Sequence, residues 1–593
     1  MITSPSKRSR VAFAGLLLAG AAMPALGQDT PESLLPPGFD EPATPAPAPA
    51  ATRAAEPARP SDDATAAIDP LSNAASAEPG EEAAEVVDLS RYELPEYAKH
   101  SLARVGVLAT GNAPFPATGF GATDGRTLKE LLRRLDAPVA SRWASIALRR
   151  ALMSPLDTPA NLNGADFAAE RAWVLLRMGE AQAARAVVND VDTDNYTTDL
   201  YQVAMQTALA SGDPAALCGI ADAGAEIIHQ RGWALARAMC AGLAGKPSEA
   251  GQLLSAARRG TSPSDMDNLL AEKVLGAGAQ GRRAVTVEWQ TVTQLTAWRF
   301  GLATAMGEAI PAELYATAGP QVRYWQALSP SLSPMARAAA AELAATAGVF
   351  SNAGLVDLYS EIDQDAEAND TPEAAVARDL RTAYADGDVA DRVAAIRTLW
   401  DAAKTPRAQY ARSILTARAA SWIPADANVA EPEKLIASML SAGMEAAAME
   451  WRPIVKPGSE GWALLALADP ASDARVAYGD FSGYSDAAGR RKGQMMLAGL
   501  AGLGRLAAAD AERGAAALEV QVGAVNRWTQ AIDAAGQRGD AAMVALLAAV
   551  GMQSRSWDHV TPEALFHIVA AMRAAGMVNY ARMIAVEAVA RTA

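Results

Sequence analysis

Between Phe167 and Gly260 one apolar pattern is written three times, and its markers, Gly179, Gly212 and Gly245, stand 33 residues apart. Seven residues before each glycine comes Ala172, Met205 or Ala238. Five after it comes Ala184, Leu217 or Ala250, and eight after it Val187, Ile220 or Leu253. Apolar positions on either side of a glycine at these distances predict two helices joined by a tight turn. Glycine suits the turn because it reaches left-handed backbone angles without a Cβ clash. A repeat of roughly 20 to 50 residues cannot bury its apolar face alone and must stack on its neighbours. The pattern therefore predicts an all-α protein, an α-solenoid of stacked antiparallel helix pairs.

The same residues resemble the tetratricopeptide repeat (TPR) family, whose repeat is about 34 residues long. Gly179-Glu180, Gly212-Asp213 and Gly245-Lys246 stand at the family's turn, with Glu180 expected on the surface. Ala184 and Ala250 stand where the family wants a small residue, as do Ala172 and Ala238; Met205 departs from that rule. Tyr201 falls at one of the family's aromatic positions. Ankyrin repeats have a similar length, but their Thr-Pro-Leu-His signature is absent. The resemblance implies superhelical stacking and a concave surface for partner proteins; it implies no chemistry.

Looser echoes continue to the end of the chain. Gly348, Gly443, Gly539 and Gly576 are preceded at the same distance by Ala341, Ile436, Ile532 and Val569. They are followed by Ala353 and Val356, Ala448 and Trp451, Val544 and Leu547, and Ala581 and Ile584. Ser333-Pro334, Thr371-Pro372-Glu373 and Thr561-Pro562-Glu563 each put a capping hydroxyl ahead of a proline at the first helical position. Half the residues are apolar and only 6% aromatic, which favours a large helical core over a β-sandwich. Met543 to Val550 is too short an apolar run to span a bilayer and reads as a buried helix. Ahead of the repeats, Ser101 to Leu108, Thr127 to Leu135 and Ser141 to Met153 read as helices.

The N-terminus reads as an export signal over residues 1–27: a basic head at Lys7, Arg8 and Arg10, an apolar stretch from Val11 to Met23, and a small-residue cleavage site at Ala25-Leu26-Gly27. Loss of those three cations takes the net charge from −15 to −18, a poor match for nucleic acid or anionic membranes. Residues 28–91 are rich in Pro, Ala, Glu and Ser and read as a disordered tether carrying one apolar island, Leu34 to Phe39. Order is expected from about Tyr92, with residues 92–160 capping the solenoid and residues 161–593 forming it.

No catalytic, cofactor or metal motif emerges. His100, His229, His559 and His567 have no zinc spacing, although Asp558-His559 and His567 fall near one another in sequence. Asp190, Asp192 and Asp194 alternate like the start of a calcium loop, but Asn195 replaces its glycine and Tyr201 its bidentate glutamate. They read as an acidic, helix-capping loop. Glu32-Ser33, the pair a superhelical lytic transglycosylase would need, lies in the tether without that family's surrounding motifs.

Trp289, Trp298, Phe300, Tyr315, Tyr324 and Trp325 form the densest aromatic cluster, readable as a partner- or glycan-binding groove or as core packing. Cys218 follows one turn glycine and Cys240 precedes the next, each eleven residues from His229, so antiparallel helices would set them side by side. In an oxidising periplasm that geometry predicts a disulfide. The expectation is a periplasmic, non-enzymatic scaffold or adaptor of the bacterial cell envelope. It would bind one or more envelope proteins and no nucleic acid, with no membrane span after signal cleavage. The alternative is a glycan- or peptidoglycan-binding protein using the aromatic segment.

Overall fold

The computed structural model describes residues 95–109, 115–262, 265–278, 285–365 and 370–592. The signal sequence, the tether with its Leu34–Phe39 island, Glu32-Ser33 and the Tyr92 boundary lie outside them. Among the described residues the protein is an all-α solenoid of paired helices, with one two-stranded antiparallel sheet.

That sheet pairs β1 (Arg104–Val105) with β2 (Leu156–Asp157). The helix expected over Ser101 to Leu108 does not form. Gly106 lies so close to the backbone of Ser154 that a Cβ there would sit 2.2 Å from its carbonyl oxygen, and its N–H bonds to Asp190. Tertiary contacts have overridden a short and weak helical preference. Helices α1 (Gly125–Arg134) and α2 (Arg142–Met153) fall where expected, and the hydroxyl of Ser141 caps α2.

The first repeat is α3 (Gly164–Arg177) and α4 (Ala181–Asn189), turned by Gly179 at φ 88°. Ala172, Ala184 and Val187 are fully buried between these helices. α5 (Thr198–Ala210) opens the second repeat, but its partner is broken into a 3-10 turn, Pro214–Leu217, and a short helix, Ala221–Ile227. The third repeat pairs helices Arg231–Leu243 and Pro247–Ala257. There Leu254, one residue beyond the expected Leu253, is the buried leucine. All seven turn glycines named from the sequence have positive φ. Ser333, Thr371 and Thr561 cap their helices as expected. Of the later apolar positions, only Ala353 and Val356 stay outside the buried core.

Helix α2 organises the whole. Residues 92–160 are expected to cap the solenoid; within them α2 packs against elements from both halves of the chain. It packs on α3, on α4, and on the C-terminal helices Ala541–Gly551 and Val578–Arg591. Two later turns also reach it: Gly348 lies against Arg142 and Ile146, and Gly443 against Trp143. Both ends of α2 are held by charges from elsewhere. At its N-terminus the buried Glu587 carboxylate accepts hydrogen bonds from Ser141 Oγ (2.6 Å) and from the backbone N–H of Arg142 (2.9 Å). At its C-terminus the buried Arg171 guanidinium donates to the carbonyls of Leu152 (2.8 Å) and Ser154 (2.7 Å), and also to Val105 (2.7 Å). A carboxylate at the positive end and a guanidinium at the negative end complement the helix dipole and satisfy its terminal backbone groups. No helix among the described residues is long and apolar enough to cross a membrane.

Candidate functional site

The residues singled out in the sequence meet different fates. Cys218, at the end of the 3-10 turn, and Cys240, in the following helix, are joined by a disulfide with Cα atoms 5.2 Å apart. The aromatic cluster does not form a groove. Phe300, Tyr315, Tyr324 and Trp325 are buried, and Trp289 and Trp298 are partly so. Trp325 donates to the Leu176 carbonyl at 3.2 Å and packs on Phe300 at 5.9 Å, so these rings join the first repeat to the middle of the chain. Large flat side chains are worth most where they exclude water from both faces, and here they do so in the core.

The acidic loop is likewise structural. Asp190 accepts from Gly106 N–H (2.7 Å), and Asp192 accepts from His100 N–H (2.8 Å) and faces its Nδ1 at 2.8 Å. Two carboxylates of the imagined cation cage are thus spent holding the incoming N-terminal segment. The bond to Asp192 raises the pKa of His100, and the same bond lowers that of Asp192. His559 is exposed, whereas His567 is buried and bonded to Asp533 at 2.9 Å. Among the described residues no group of three or more His, Cys, Asp or Glu is arranged to hold a metal. Glu180, expected at the surface, is 6% exposed and paired with Arg149 of α2 at 2.7 Å. Burial pushes its carboxyl up to about 7.

A cleft of about 680 Å³ lies where helices Val389–Ala402 and Pro406–Ala420 face the C-terminal helix and the turn Arg555–Asp558. Trp400, Tyr410 and Trp557 form its aromatic walls, and all three are buried. Its charge is predominantly positive: Arg407, Lys434, Arg555 and Arg591 against Asp401 and Asp558. Two of these cations are matched: Arg591 pairs with Glu587 at 2.6 Å and Lys434 with Glu431 at 2.6 Å. Arg591 also lies 4.3 Å over the Tyr410 ring, and burial raises the pKa of that phenol.

Arg407 and Arg555 have no such match among the described residues. Arg407 sits in the first turn of its helix, where the dipole is already positive and no acidic residue offsets it. Its guanidinium donates only to neutral oxygens, Tyr324 Oη at 2.7 Å and Thr346 Oγ1 at 3.0 Å. The exposed Arg555 side chain makes no hydrogen bond or ion pair with the described residues. Trp557 is 2% exposed, yet its Nε1 has no hydrogen-bond partner among the described residues. The sequence offered one signal for this site, a cation directly after the Thr405-Pro406 helix start; nothing in it links Arg407 to Trp557 or Arg591.

Fold and cleft together define a helical-repeat solenoid with a basic, aromatic-walled cleft. Compared with family models, with curated proteins and with solved structures, the chain finds no match.

Proposed function

We propose that the protein is an exported, non-enzymatic scaffold or adaptor of the cell envelope, built on TPR-like repeats. The observation that carries this reading is the stack of helix pairs turned by positive-φ glycines, an architecture that works through an extended surface. Trp422, in the turn that follows the helix Pro406–Ala420, is a candidate anchor for a partner: 52% exposed, and set edge-on to Tyr384 at 5.2 Å. The Cys218–Cys240 bond supports an oxidising compartment. The glycan-binding alternative draws no support from aromatic rings committed to the core.

The test is a direct one. The protein is passed over envelope extracts, captured proteins are purified, and their affinities are measured for wild type and Trp422→Ala. Sedimentation with purified cell-wall polymer runs alongside. A purified partner weakened by Trp422→Ala, without polymer binding, supports the scaffold; polymer binding without a protein partner rejects it.

A further inference from the structure

We propose that the cleft between the helix Pro406–Ala420 and the C-terminal helix is a binding site for a small organic oxyanion, a carboxylate or phosphate ester carried on a flat or apolar body.

Two independent features point to that chemistry. The first is uncompensated charge. Arg407 and Arg555 line the cleft without an acidic partner, in a chain whose net charge is −15. Arg407 also lies at the positive end of a helix, so its position opposes the local field unless an anion enters. Guanidinium groups are suited to oxyanions, because their forked N–H groups match carboxylate and phosphate oxygens.

The second is size and lining. About 680 Å³ is far more than a bare ion needs and lies in the usual range of small-molecule sites. The apolar part of the lining, with Trp400, Tyr410, Ala437 and Ala590, offers an organic body the contact that a free ion would not use. The two carboxylates on the rim, Asp401 and Asp558, work against a highly charged ligand and favour one carrying one or two negative charges.

This inference does not depend on the scaffold reading, since a small ligand is compatible with either outcome of the partner assay. It is tested on the full-length chain by titration calorimetry with four probes: inorganic phosphate, phenyl phosphate, a short peptide ending in phenylalanine with a free carboxylate, and the same peptide amidated. Saturable binding of phenyl phosphate or of the free-acid peptide is expected, with the amide silent. Which of the two binds identifies the source of the oxyanion. Arg555→Gln removes a side chain with no structural bond and should weaken binding about tenfold. Arg407→Gln should also weaken binding, with its folding checked by thermal melting because it loses two internal bonds. No saturable binding by any probe overturns the proposal. So does an affinity unchanged in Arg555→Gln, or inorganic phosphate binding as tightly as the organic probes, which would mark an adventitious ion only.

Discussion

Glu587 accepts a 2.6 Å hydrogen bond from the hydroxyl of Ser141 across 446 residues of chain, and both groups are buried. The same carboxylate receives Arg591 Nη1 at 2.6 Å and the N–H of Arg142. One side chain of the last helix therefore caps α2 and closes the coil upon it. Glu587→Ala would leave Arg591 without its carboxylate and the N–H of Arg142 without its acceptor, with Ser141 alone capping α2. Removing one partner of a buried ion pair costs ~3–5 kcal/mol. Urea unfolding should register a loss of that order, and a loss under 1 kcal/mol would mean that the closure is not carried here.

Glu180 predicts a pH dependence. Its folded-state pKa, about 7, lies above the ordinary 4.5 because burial outweighs the Arg149 partner. A raised carboxyl pKa means the folded state holds the proton more tightly than the unfolded chain. This contribution is complete below pH 4.5 and is lost as pH rises through 7. The size is on the order of a few kcal/mol. Glu180→Gln should flatten that part of the stability curve, gaining on wild type between pH 4.5 and pH 8; parallel curves would rule it out.

The two cysteines close a loop with a sequence separation of 22 residues. In the chain-entropy account such a crosslink stabilises by about 3 kcal/mol. Cys218→Ser with Cys240→Ser should lose stability of that order. Intact mass of protein purified from an oxidising compartment should rise by two hydrogens on reduction, and two free thiols in the unreduced sample would reject the bond.

Turn glycines should differ in tolerance according to what they face. A Cβ at Gly179 would fall 2.5 Å from the Cβ of Tyr324, whereas one at Gly576 would meet nothing within 4 Å. Both have positive φ, so alanine strains either backbone by ~1–2 kcal/mol. Gly179→Ala must also displace a buried tyrosine, which commonly adds ~1–3 kcal/mol. Thermal melts should rank Gly179→Ala well below Gly576→Ala; equal melting temperatures would contradict the packing described.

What the sequence by itself determined is local and periodic. The 33-residue spacing, the turn glycines and the Ser333, Thr371 and Thr561 caps announce themselves because each depends on residues within a few helical turns. The approach of Cys218 and Cys240 belongs to the same class, since both flank one connection between neighbouring repeats. What only the tertiary structure decided is where the stack returns upon itself. Each repeat adds a small rotation, and the sum of many brings Glu587 to Ser141 and the Gly443 turn to Trp143. No local pattern encodes that sum. Glu180 reads as a surface residue because its own repeat does not show that α2 packs against its turn, and the aromatic cluster reads as a possible groove because its contact with the first repeat is not local. The basic cleft is a product of that closure: Arg407, Arg555 and Trp557 come together only when the C-terminal helix lies beside the helix Pro406–Ala420.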